Sequence, residues 1–255
     1  MRWNSAFHHS WMRMLDGDTE AAERAAEAAL ELGTASGQPD ALFIYGIQLM
    51  SIRWMQGRYA EMIPVVQQAA NDNLLIPALR PVLALAMCFT TDHDWVRRTL
   101  DNEIGDGFPM PVGASSLTAY ALWADATARV RHAPAASVLH ERLAPWRKQF
   151  VTSHVTVHGS VAHYLGLLEH VLHRYDDADA SFEEALHVHE RMEAPFFVAW
   201  TKTAWAAFLV DRGQDGDVER ARALVTEALP VALEGGFGDV AQHAQTLFDR
   251  IDAAS

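Results

Sequence analysis

Thirteen histidines are the first residues in this chain that could do chemistry. Two pairs have spacings that would put both rings on one helix face: His154 with His158 at i, i+4, and His170 with His173 at i, i+3. Further ligands would have to come from elsewhere, such as Glu169 or His163, and the product would be a histidine-based metal-dependent hydrolase. Against this, paired histidines are loose motifs, and surface or core histidines on helices explain them more simply. His189-Glu190-x-x-Glu193 and His140-Glu141-x-x-Ala144 both lack the second histidine of a zincin. Asp211-x-Gly213-x-Asp215-Gly216 opens like a calcium loop, but Arg222 stands at the twelfth position, where a bidentate glutamate is needed. Asp217 beside it reads as a helix N-cap. Cys88, the single cysteine, lies in the apolar run VLALAMCF (82–89) and reads as an inert core thiol. No Gly-x-Ser-x-Gly elbow and no Gly-x4-Gly-Lys-[Ser/Thr] phosphate loop occurs. No catalytic residue, cofactor or metal ligand is therefore assigned, and the chain is expected not to be an enzyme.

The remaining residues speak of architecture. Strand patterns barely occur; VTSHVTVHG (151–159) is the one candidate, and it reads as a loop before a buried helix. Val151 to Leu168 carries no Asp, Glu, Lys or Arg, but its histidines, serines and threonines argue against a membrane span. Elsewhere apolar residues recur at three and four. Short turns rich in Gly, Pro, Asp and His punctuate the pattern, as in LDGDTE (15–20) and RGQDGDVE (212–219). Second helices that begin near Asp18, Tyr59, Trp95, Ala135, Tyr175 and Asp217 recur at about forty residues, the signature of stacked helical hairpins. A hairpin cannot bury both faces alone, so neighbours must stack on it. The expected fold is all-α: a right-handed α-α superhelix, a tetratricopeptide-like solenoid of about six hairpins with a capping helix at Val240–Ile251, forming a single domain over 1–255.

Spacing inside the units supports this. Leu165-Gly166 is followed by Ala178, Phe182 and Ala185, the small-residue and aromatic pattern of the tetratricopeptide repeat. Its second half recurs as Ala22, Ala26, Ala29 and as Ala221, Val225, Ala228, while the second unit departs with Ala60, Pro64 and Gln67. The segment GSVAHYLGLLEHVLHRYDDADASFEEALHVHERMEAPFFVAWTKTAWAAFLVDRGQDGDVERARALVTEALPVALEGG (159–236) resembles the C-terminal helical-repeat region of large bacterial P-loop ATPase signalling regulators. PDALFIYGIQLMSIRWMQGRYAEMIPVVQQAA (39–70) and RLAPWRKQF (142–150) are similar to the same region. In those regulators a cyclase-like, kinase-like or helix-turn-helix output domain and an ATPase precede the repeats. This chain has no phosphate loop and no such output segment, so the resemblance implies a sensor or scaffold module, a fragment or stand-alone relative of a longer regulator.

A formal charge of −13, from 20 Lys+Arg against 33 Asp+Glu, repels phosphate backbones and anionic membranes. Nucleic acid and membrane are excluded as partners. One cysteine and the absence of an opening signal segment point to the cytoplasm.

In tetratricopeptide-like stacking the first helix of each unit lines a concave groove. Aligning on Ala178 places His163, Leu167 and His170 there. The same offset gives Tyr45, with Leu49 and Ile52, in the second unit and Trp11, with Phe7 and Met14, in the first. Trp200 and Thr203 are the choices in the sixth. The leading expectation is a non-catalytic protein-interaction and regulatory module. It would dock a protein or peptide, including an upstream ATPase domain, in that groove through aromatic anchors and imidazoles. The alternative is a receptor for a small-molecule effector in the same groove.

Overall fold

Capping chemistry and small-residue packing shape the chain. The computed structural model describes residues 2–72, 78–111, 113 and 115–253. Among them are thirteen α-helices and one pair of short strands: α1 (Arg2–Leu15), α2 (Thr19–Ala35), α3 (Ala41–Met55), α4 (Ile63–Asp72), α5 (Leu79–Met87), α6 (His93–Ile104), α7 (Ser116–Arg129), α8 (Ala133–Leu143), β1 (Phe150–Thr152), β2 (Val157–Ser160), α9 (Val161–Val171), α10 (Tyr175–Arg191), α11 (Pro195–Arg212), α12 (Asp217–Glu234) and α13 (Gly238–Ala253). The protein is mostly helical. No helix among the described residues is long and apolar enough to cross a membrane.

The expected second helices are α2, α4 with the 3-10 turn Tyr59–Met62 before it, α6, α8, α10 and α12, each beginning within two residues of its expected start. Asp18 caps α2 by accepting the Ala21 N–H at 2.8 Å, and Asp92 caps α6 by accepting that of Trp95 at 3.1 Å. His132 caps α8: its Nδ1 accepts the Ala135 N–H at 3.2 Å, which leaves Nε2–H to donate to Asp101 at 3.0 Å. Asp217 is not the cap it was expected to be. Gly216, with φ +82°, holds that position, and Asp217 opens α12 as the buried partner of Arg212. The Arg212 guanidinium donates to both carboxylate oxygens, at 2.8 and 2.6 Å, and holds the Asp217 pKa below the ordinary value.

The small-residue pattern packs as its spacing implies. Ala178, Phe182 and Ala185 are buried, and a Cβ built on Gly166 would stand 2.9 Å from the Phe182 ring. Ala22, Ala26 and Ala29, and Ala221, Val225 and Ala228, are buried likewise. In α4 and the 3-10 turn before it, Ala60, Pro64 and Gln67 face solvent instead. Tyr59, Met62 and Val66 form the buried stripe there, displaced because the helix starts with a tighter 3-10 turn.

The sequence pattern placed no sheet in the chain, and here the structure corrects it. VTSHVTV folds as a β-hairpin because its alternating β-branched residues suit paired strands better than a helix. The Ser153 N–H closes the turn on the Thr156 carbonyl at 3.2 Å, and Ser160 then caps α9.

The chain divides into two compact units. One comprises Met1–Arg58, Ser153–Val157 and Leu186–Ser255; the other Tyr59–Thr152 and His158–Ala185. In the second unit each helix from α5 to α9 packs on its neighbours one or two places along the chain. In the first, α1, α2 and α3 pack together, as do α11, α12 and α13, and the two groups also meet. Trp54 on α3 sits edge-on to Phe196 and Trp200 on α11, at 5.0 and 5.2 Å. A Cβ on Gly57, after α3, would lie 2.5 Å from the Asp239 nitrogen of α13. The helix expected as an end cap thus abuts, at its first residues, the turn that follows α3.

Candidate docking face on α3

Helix α3, ALFIYGIQLMSIRWM, has one charged residue, Arg53, among fifteen. A helix apolar on all sides belongs in an interior. This one is buried on one side only, through Ala41, Gln48, Ser51, Ile52, Trp54 and Met55. Leu42 is 70% exposed and Phe43 52%, while Tyr45, Gly46, Ile47, Leu49 and Met50 are half-buried. Leu42, Tyr45, Leu49 and Arg53 follow i, i+3, i+7, i+11 and so form one stripe. Gly46 lies beside it, and a Cβ there would meet nothing within 4 Å. Internal packing therefore gives no reason for a glycine in mid-helix, where it costs about 0.5–1 kcal/mol relative to Ala.

Helix α2 positions this stripe. It runs antiparallel to α3: Gly33 near its end lies against Ala41, so closely that a Cβ would come within 2.6 Å of the alanine's, and Glu23 near its start meets Arg53. The Arg53 fork is bidentate, Nη2 to Oε1 at 2.5 Å and Nη1 to Oε2 at 2.6 Å, with Nη1 also donating to Gln56 Oε1 at 2.7 Å. Hydrogen bonding from Arg53 lowers the Glu23 pKa despite partial burial. Gln48 fixes the rotation of α3. Fully buried, its Nε2 donates to the carbonyls of Phe7 at 2.7 Å and Val155 at 3.0 Å. Neither Gln48 nor the Arg53–Glu23 fork was expected from sequence; a lone amide in an apolar helix was the available signal for the first.

Glu20, Glu23, Glu27 and Glu31 repeat the same i, i+3, i+7, i+11 spacing along α2. The Tyr45 hydroxyl lies close enough to this row that burial, then Glu27 and Glu23, raise its pKa. The apolar stripe of α3 is thus bordered by carboxylates.

Of the seven residues expected to line a groove, Trp11 and Tyr45 keep open surface in the first unit, and Leu167 and His170 in the second. Trp11 on α1 lies edge-on to His8 at 6.2 Å, and its buried Nε1–H has no acceptor among the described residues. The other three are corrected. His163 is fully buried, edge-on to Tyr164 and Phe182 at 5.6 and 5.9 Å, because Gly166 brings α9 directly onto α10. Trp200 is buried against Trp54, Phe196 and Phe197, so α3 occupies the ring that was expected to face a ligand. Thr203 is buried and donates to the Ala199 carbonyl at 2.8 Å. Of the further groove positions, Phe7, Met14 and Ile52 are also core.

Neither histidine pair lies within one helix, since His173 follows the end of α9 at φ +57°. His154 sits in the hairpin turn at φ +66° and His158 on β2. Burial of His158 lowers its pKa to about 4. Among the described residues no group of three His, Cys, Asp or Glu is placed to hold a metal. A network centred on the buried Glu169 and Ser181 joins α8, α9 and α10: Glu169 accepts from Ser181 Oγ at 2.5 Å and lies 2.9 Å from His140 Nε2, while the half-buried Arg147 reaches Ser181 at 2.9 Å and Glu184 at 2.6 Å. Ser181 donates to a carboxylate rather than to the imidazole and is fully buried, so this network braces helices and does not present a nucleophile. Cys88 donates to the Ala84 carbonyl at 3.3 Å, and burial pushes its thiol up to about 12.

No family model, curated protein or solved structure matches the chain. The fold and the α3 face carry the functional reading themselves.

Proposed function

We propose that this chain is a non-catalytic protein-interaction and regulatory module, a tetratricopeptide-like superhelix that docks a segment of a partner protein. The observation that carries the reading is α3, a helix of interior composition that keeps Leu42 and Phe43 open to solvent. Contiguous exposed apolar surface of this kind marks interaction sites on soluble proteins. The near-neighbour packing of α5 to α9 and the recurring Ala-x3-Phe or Ala-x3-Val contacts support a stacked repeat. The resemblance of 159–236 to the repeat regions of multidomain ATPase regulators supports a place in such an assembly. A partner that engages the face in one conformation of that assembly and not another would shift its equilibrium by the difference in affinity.

Site-specific photocrosslinking in the producing cell tests this. A photoreactive side chain at Leu42 should trap a discrete protein adduct, and Leu49→Asp should abolish it. The same group at Val218, also solvent-open but on α12, should give none. An adduct only of small-molecule mass, or equal trapping at both positions, would overturn the reading.

A further inference from the structure

The border of the α3 face narrows the class of its occupant, an inference that rests on the docking reading of that face. Two parallel rows run along the α2–α3 surface with identical helical spacing: an apolar row of Leu42, Tyr45 and Leu49, and an acidic row of Glu20, Glu23, Glu27 and Glu31. Arg53 neutralises Glu23, and Arg24 stands 3.6 Å from Glu20. Glu27 and Glu31 are exposed, and among the described residues no cation pairs with either. Glu27 lies near Tyr45, and Glu31 comes two residues before Gly33, which packs on Ala41 at the start of α3, where Leu42 and Phe43 are most open. The whole chain carries −13, so its long-range field attracts cations toward a face that also presents local carboxylates. From Leu42 to Arg53 the stripe spans roughly 17 Å at 1.5 Å per residue, the length of three turns of a second helix laid alongside. Gly46 leaves the backbone of α3 uncovered in the middle of that span, where a side chain from outside can approach.

We propose that the α2–α3 face binds a lysine- or arginine-rich amphipathic helical segment of a partner protein, its apolar side on Leu42, Tyr45 and Leu49 and its cations on Glu27 and Glu31. This is the helix-in-groove mode, in which anchors at i, i+3 and i+7 supply affinity and flanking charges supply orientation. The acidic border disfavours an anionic lipid surface or a nucleic acid at this place.

The probe is a fluorescein-labelled peptide of roughly 18 residues, leucine and lysine arranged with helical periodicity, long enough to form a helix on binding. Fluorescence anisotropy with the full chain should show saturable micromolar binding that weakens as salt rises from about 0.15 to about 0.5 M. The Glu27→Lys/Glu31→Lys double variant and Leu42→Asp should each weaken binding at least about tenfold with unchanged far-UV circular dichroism. Asp177→Lys/Glu183→Lys, which alters exposed acids of the other unit, should leave it within about twofold. Equal losses in both double variants, or equal binding of a scrambled peptide of the same composition, would reduce the effect to general charge attraction and overturn the proposal. So would a leucine–glutamate peptide binding as tightly, association with phosphatidylserine vesicles that Leu42→Asp abolishes, or a dimer in sedimentation that the same variant dissociates. If the basic peptide fails while the Leu42 photocrosslink still traps a protein, the charge class is wrong and the docking reading stands. If both fail, both fall.

Discussion

Gly37 and Gly57 form a matched pair for testing how the first unit is held together. Each follows a helix, and each turn has the same two hydrogen bonds: Gly37 and Gly57 N–H to the Thr34 and Trp54 carbonyls, and the next N–H to the Gly33 and Arg53 carbonyls. Both glycines have left-handed backbones, at φ +69° and +72°. Alanine at either position costs about 1 kcal/mol for that conformation. The surroundings differ. A Cβ on Gly37 meets nothing within 4 Å, whereas one on Gly57 would lie 2.5 Å from the Asp239 nitrogen and 2.9 Å from the Gly238 carbonyl carbon. Those are backbone atoms and cannot swing aside, so overpacking adds about 1–3 kcal/mol. Gly57→Ala should therefore lose about 2–4 kcal/mol and Gly37→Ala about 1 kcal/mol. Urea denaturation followed by tryptophan fluorescence measures both, with Trp54 and Trp200 at the α3–α11 contact among the eight emitters. Equal losses would show that the turn after α3 does not touch α13, and the packing described for the first unit would be wrong.

Three further outcomes arise from burial. His158 and His189 are held neutral, burial lowering their pKa values to about 4 and about 3, so only the unfolded state takes up protons as pH falls below about 6.5. Their stabilising contribution is complete above that pH and declines by roughly 1.4 kcal/mol per unit for each toward the folded values. Urea midpoints at pH 7 and pH 5 should show the drop, and His189→Gln should flatten it. Cys88 should resist thiol reagents in the native protein and react fully in urea; native labelling at the unfolded rate would place it outside the core. Gly166→Ala should destabilise by about 1–2 kcal/mol through the Phe182 ring, whereas Gly46→Ala, in open space, should stabilise by about 0.5–1 kcal/mol, both read from denaturation midpoints.

The sequence made the helices legible because their punctuation is local. Asp18, Asp92 and the turn glycines act within a few residues, and so do the Ala22, Ala26, Ala29 and Ala178, Phe182, Ala185 contacts. The hairpin at 150–160 was hidden because seven residues of alternation are too few to outweigh the helical periodicity around them. His163, Trp200 and Thr203 were misplaced for a different reason. An offset carried from Ala178 gives the rotation of a helix and not what lies against it. His163 faces Phe182, and Trp200 is covered by Trp54, 146 residues earlier in the chain, a contact that no local period reports. The composition of α3 was visible, but its openness depends on Gln48, which fixes the helix by bonding to Phe7 and Val155, one of them 107 residues away.

The first unit is discontinuous: residues 1–58 find their partners in α11 to α13, after about 130 intervening residues. During synthesis at 5–20 residues per second, the underside of α3 leaves the ribosome roughly ten seconds before Phe196 can cover Trp54. The second unit, 59–152 and 158–185, is fully synthesised within that interval and is the first to be able to close. The nascent chain therefore carries the Trp54 side of α3 uncovered until α11 emerges, although α1 and α2 already pack on the helix, and the outer stripe stays open afterwards. Contacts of such high sequence separation slow folding. The order in which this protein is made thus sets a period when Trp54 on α3 lacks its α11 cover, and a pause before α11 would lengthen that period.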